Sequence, residues 1–217
     1  MTTNEIKTFF ERLIDDTISD ELAIDLANTA KDQIEAERDW EMLIKEDATN
    51  STTVGNTFET AITLPTDFSN VVSIFVGDYQ QLPIPFEKQR DWKDIDRRYF
   101  IDYANSELHL CGKVATAETI YIYYLYETDA LTLTTSPVWP TRFHKLIAYK
   151  MAELYLAGID ADDLTRQQYI HHKMQADNLY KQLLRWDTEL KLNKMGNSTA
   201  PQGYGNIYRD DVVGIND

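Results

Sequence analysis

Apolar residues recur at helical spacing at both ends of the chain and at alternate positions between them. Ile6, Phe9, Phe10, Leu13 and Ile14 fall on one face of a helix, with Thr2 and Glu5 spaced as a capping box. After a break at Ser19 and Asp20, Leu22, Ala23, Leu26, Ala27, Ala30 and Ile34 line a second stripe. Trp40, Leu43 and Ile44 follow in its later turns, so the pattern predicts one helix from Glu21 to about Lys45. Acids at its first turn suit the helix dipole. The first 45 residues therefore predict an αα-hairpin.

Asp47 to Asn56 is rich in Thr, Asn, Ser and Gly and reads as a loop. Period-two alternation then begins at Phe58, Thr60, Ile62 and Leu64. Val71 to Val76 predicts a further strand, turned by Gly77-Asp78 into Tyr79 to Ile84, with Pro83 and Pro85 marking an edge. A short helical connection is expected over Phe86 to Arg98. Tyr99 to Tyr103 and Glu107 to Cys111 form a hairpin about Asn105-Ser106. Thr119 to Tyr126, with its β-branched and aromatic content, is the strongest strand.

Pro137 and Pro140 interrupt regular pairing, and the helical period resumes at Phe143, Leu146, Ile147, Met151, Leu154 and Tyr155, closed by Gly158. A long helix follows to about Lys194, its stripe including Tyr169, Ala176, Tyr180, Leu183 and Leu190. Beyond Met195 no period persists, which predicts an extended tail. The expected architecture is α+β and mainly helical. Two N-terminal helices (1–46) and two C-terminal helices (137–194) make a four-helix bundle, with a central antiparallel β insert (47–136) and an extended tail (195–217).

Charge narrows the function. The 36 acids outnumber 21 bases, a formal −15, which disfavours binding to a phosphate backbone. Such a surface fits plain solubility or a wall past which DNA slides. Thirteen tyrosines suit either β-sheet packing or protein interfaces. The single cysteine, Cys111, excludes an intrachain disulfide and a thiolate zinc cluster. The N-terminal stretch lacks the pattern of a signal peptide, and no apolar run reaches the ~20 residues that span a bilayer.

No catalytic motif emerges. The chain lacks a phosphate-binding loop and a Gly-x-Ser-x-Gly elbow. His109 and Cys111 alternate on one strand, but a lone thiol is more often structural. His171 and His172 point about 100° apart on a helix and are poorly placed to share a metal. Asp160, Asp162 and Asp163 suggest calcium, yet an EF-hand would need Gly and Glu where Thr165 and His171 stand. Helix capping explains the acids. Neither a catalytic residue, a cofactor nor a metal is expected.

Several short stretches, taken in order, resemble a known family. These are Leu64-Pro65-Thr66-Asp67-Phe68, Tyr99-Phe100-Ile101-Asp102 through Leu108-His109-Leu110, the tyrosine-rich Ile120 to Tyr124, Pro137-Val138-Trp139-Pro140 and Phe143-His144. In order and spacing they are similar to the head-to-tail adaptor (connector) proteins of tailed bacteriophages. The sequence departs where the family often carries Gly and Pro in the hairpin turn; here stand Asn105-Ser106 and Gly112. The resemblance implies a non-catalytic virion protein of the neck, assembled in the host cytoplasm. It further implies a ring, dodecameric in this family, docked on the portal protein. Such a ring passes double-stranded DNA through its lumen without specific binding and offers a platform to tail or nozzle proteins. No membrane is involved. Tyr204, Ile207, Tyr208, Val212 and Val213 in the tail are expected to dock on the portal. Two other classes fit the composition: an acidic carboxylate enzyme such as a small hydrolase, and a generic soluble interaction module.

Overall fold

A computed structural model describes residues 1–56, 60–157 and 163–197. The chain forms two compact units, one from Met1–Met42 with Thr128–Leu192 and one built on Leu43–Glu127.

In the first unit, α1 (Thr3–Ile14) begins with the expected reciprocal capping box of Thr2 and Glu5 and buries Ile6, Phe10 and Ile14. Helix α2 (Asp20–Ala36) is capped by Ser19 and buries Ala23, Ala27, Ala30 and Ile34. The alanines leave room for a neighbouring helix. Of the later helices, α4 (His144–Ala157) packs along both α1 and α2, with Leu146, Ile147, Ala148, Met151 and Ala152 fully buried. The 35-residue α5 (Asp163–Asn197) joins them through large side chains: Tyr180 edge-on to Trp40, Trp186 near Phe143, and His172 near Tyr149.

The helix expected from Glu21 to Lys45 stops at Ala36. Trp40 lies fully buried beyond its end, its indole N–H donating to the Ile34 carbonyl at 2.9 Å. A 3-10 turn (Glu41–Leu43) follows, and the segment read as a helix end and loop is instead strand β1 (Ile44–Ser51).

The second unit is a sheet. After β1 come β2 (Gly55–Asn56), β3 (Ile62–Thr63), β4 (Phe68–Val76) and β5 (Tyr79–Pro83). A 3-10 turn and the short α3 (Gln89–Trp92) lead to β6 (Arg98–Asp102), β7 (Glu107–Leu110), β8 (Lys113–Val114) and β9 (Thr119–Tyr126). Seven strands form one sheet in the order β1-β9-β4-β5-β6-β7-β3, and β2 pairs separately with β8. Ile62 and Leu108 from one end of this order share a core with Ile74, Ile120, Ile122 and Tyr124 from the other. That shared interior is what a sheet curling towards closure produces.

This overturns the expected mainly helical four-helix bundle with a central antiparallel β insert. Strand makes up about 24% of the structure, and the sheet is a nearly closed, barrel-like body with its own core. Nor is it purely antiparallel: Leu82 and Pro83 of β5 run parallel to Arg98 and Tyr99 of β6. The intervening connection through α3 is long enough to reverse direction, as parallel neighbours require.

Candidate interaction surfaces

Several residues behind the family resemblance, Asp67, Trp139 and His144 among them, make fastenings within their own unit. Leu64 is buried, and Asp67 sits where three strands meet. Its carboxylate accepts from Lys45 Nζ of β1 at 2.6 Å and from the Tyr124 hydroxyl of β9 at 2.9 Å, while its carbonyl accepts from Glu127 N. Hydrogen bonding to Lys45 holds the Asp67 carboxyl below its usual range, and burial, with Asp67 beside it, pushes the Tyr124 phenol up to about 12. Lys45 also lies 3.7 Å over the Tyr126 ring.

The proline-flanked motif fastens the helical unit in the same manner. Trp139 is buried and donates its indole N–H to Glu35 Oε1 of α2 at 2.9 Å. Thr128 donates to the other oxygen of that carboxylate at 2.6 Å, and burial still raises the Glu35 pKa. His144, 2% exposed, places Nε2 at 2.7 Å from the Trp139 carbonyl and Nδ1 at 3.0 Å from the Met1 carbonyl. The Met1 ammonium also lies 3.0 Å from Nδ1 and can only donate, so Nδ1 accepts from it while Nε2 donates its N–H to the Trp139 carbonyl.

The hairpin departure from the family pattern has a local solution. Asp102 accepts from the backbone N–H groups of Ala104 and Asn105 and from the Asn105 amide, closing the turn without proline. Ser106 takes the left-handed conformation there, at φ 55°. Gly112 has φ 87°, and a Cβ on it would strike the Asp96 backbone.

Candidates for chemistry stay dispersed. Burial pushes the Cys111 thiol up to about 11, so at neutral pH it is a protonated, poor nucleophile. It lines a cleft of about 190 Å³ with Asp96, Arg97, Lys113, Thr116 and Glu118. His109 lies beside Glu107 at 3.5 Å and near the Phe100 ring. His172 is buried, and desolvation lowers its pKa despite the Leu13 backbone nearby. His171 neighbours it with ring centroids 5.5 Å apart, whereas His144 is engaged with Trp139 and Met1. Among the described residues no group of three or more His, Cys, Asp or Glu side chains could hold a metal ion. Asp160 and Asp162 lie outside the described residues, as do Gly158 and the tail residues Tyr204, Ile207, Tyr208, Val212 and Val213. No described helix is long and apolar enough to cross a membrane.

Sequence reasoning missed Asp187, which occupies the buried stripe of α5 beside Ala176 and Leu183. Its Oδ1 accepts from Glu41 N at 2.9 Å, capping the 3-10 turn, and its Oδ2 lies 3.3 Å from Arg38. Burial raises its pKa, opposed by Arg38. The heptad-like spacing from Tyr180 through Leu183 to Leu190 could have drawn attention to it. Also missed was a cleft of about 210 Å³ lined by Arg142, Phe143, Gln182, Arg185, Trp186 and Glu189.

The motif residues thus build fastenings within each unit, beside open polar clefts. The family model for SU10 adaptor protein matches residues 1–199. The chain belongs to the SU10 adaptor protein family. This phage adaptor is thus a structural component of the virion that assembles with other head or tail proteins. A comparison with curated proteins finds no match.

Proposed function

We propose that this SU10-family adaptor forms a ring beneath the portal protein, in the neck between capsid and tail, and presents a platform to tail or nozzle proteins. Family membership over residues 1–199 carries the proposal. Twelve copies would match the ring number that the family resemblance implies. Assembly takes place in the host cytoplasm before the neck is complete.

The physical chemistry of the chain supports this role. A subunit that repeats its neighbours' contacts needs a shape that holds, and the Asp67, Glu35 and His144 fastenings supply rigidity to each unit. A conduit for double-stranded DNA must not retain its cargo. At −15 per subunit, acids facing the lumen would repel phosphates and let the genome pass without specific binding during ejection.

The segment after Lys194 carries Tyr204, Ile207, Tyr208, Val212 and Val213 among polar residues and glycines, a composition suited to folding against a partner. We assign it to portal binding. Truncation after Lys194 is expected to abolish co-purification with the portal protein while leaving the circular dichroism spectrum of the subunit largely unchanged. Undiminished portal binding by the truncated chain rejects the assignment.

A further inference from the structure

Two patches of unlike charge lie on the helical unit, one on α2 and one where the turn before α4 meets α5. Helix α2 has one lysine, Lys31, and it is 4% exposed. Its ammonium is turned to the Thr128 hydroxyl at 2.9 Å and to the carbonyls of Thr128 and Asp129. The exposed charges of α2 are therefore acidic: Asp20, Glu21, Asp25 and Asp32. Asp20 is bound by Lys7 and Asp32 lies near Lys31. Glu21 and Asp25 make no ion pair with a described residue. They are four positions apart, on one side of the helix, with the exposed Leu22 beside them.

The missed cleft on α5 is the reverse. In a strongly acidic chain it brings together two exposed arginines, Arg142 and Arg185, against a single carboxylate, Glu189. The Arg142 guanidinium lies 4.7 Å from the Phe143 ring centroid and 5.7 Å from that of Trp186, which holds a planar donor fork in place. Neither arginine pairs with a carboxylate of the described residues. The arginine side and the acidic side remain unmatched inside one subunit.

We propose that the Arg142–Arg185–Trp186 cleft of one copy receives the Glu21–Asp25 face of α2 on a second copy. Two carboxylates meet two guanidiniums, and Leu22 covers the indole. Two different patches in contact make a heterologous interface, and successive copies joined in this way generate a closed ring when the rotation closes. The occupant is a second copy because the acidic face complementary to the cleft is on this same chain. The assignment rests on the ring arrangement proposed above.

The experiment uses full-length chains mixed with portal protein and read by native mass spectrometry. Arg142→Glu with Arg185→Glu, and separately Glu21→Arg with Asp25→Arg, should each lower ring-sized species by about tenfold or more. The four substitutions in one chain should restore them. All four positions are exposed, and unchanged thermal midpoints check that each variant folds. As a second measurement, Asp25→Cys mixed with Gln182→Cys should form disulfide-linked dimers under oxidation. Undiminished rings from both reversed variants, or no rescue by the combined chain, overturns the contact. Loss from the arginine reversal alone points to a different acidic partner and also overturns it. A wild-type chain that forms no rings with portal rejects the ring itself, a result distinct from the others.

Discussion

Asp67 shows how one motif residue can be essential without being a site. Its carboxylate joins Lys45 to Tyr124, and hydrogen bonding to Lys45 depresses its pKa. A depressed folded-state pKa means the ionised form is favoured by folding. That contribution is present above the unfolded value of about 4 and is lost as pH falls through the lower folded value. Asp67→Asn should therefore melt lower than wild type at pH 7, with the two curves converging as the pH falls well below 4. Thermal midpoints measured from pH 2 to 7 test this. A constant gap across that range would contradict it. Trp139, His144 and Glu35 act alike in the other unit, Trp139 binding Glu35, Glu35 binding Thr128 and His144 binding Met1, all partners distant in sequence.

At the scale of elements, the legible parts were those whose burial followed a period. Helix α1 with its capping box, the β4–β5 and β6–β7 hairpins, strand β9 and the start of α4 near Phe143 all carry strong patterns. Strand β1 does not. It lies at one end of the sheet and reads Ile-Lys-Glu-Asp-Ala-Thr-Asn-Ser, with the charge that exposed strand edges use against aggregation. Its irregular register against β9 between Asp47 and Asn50 blurs the alternation further. The barrel-like closure was hidden because it depends on which strands meet, and Ile62 pairing with Leu108 leaves no local trace. The arginine cleft was equally hidden, since Arg142 and Arg185 converge only after α5 folds back over Phe143.

Asp187 ties α5 to the turn after α2, and it does so as a hydrogen-bond acceptor. Burial disfavours its charged form, and Arg38 opposes that shift. Asp187→Asn keeps an oxygen facing Glu41 N and should lie close to wild type in stability. Asp187→Leu strands a buried N–H and should cost about 1–3 kcal/mol. Urea denaturation of the two variants separates these cases. Equal stability for both would show that the cap contributes little.

On the scale of the whole molecule, the observations describe a building part. The match over residues 1–199 makes it a phage adaptor. The −15 charge suits the proposed passage of DNA without capture. Each of its two units is held by fastenings of its own, several of which appear as motifs in the sequence. The direct measurement is electron microscopy of the full chain mixed with purified portal protein. Closed rings of adaptor, coaxial with the portal and open at the centre, are the expected image. Portal particles that stay bare, or that carry isolated single subunits at saturating adaptor concentration, would contradict it.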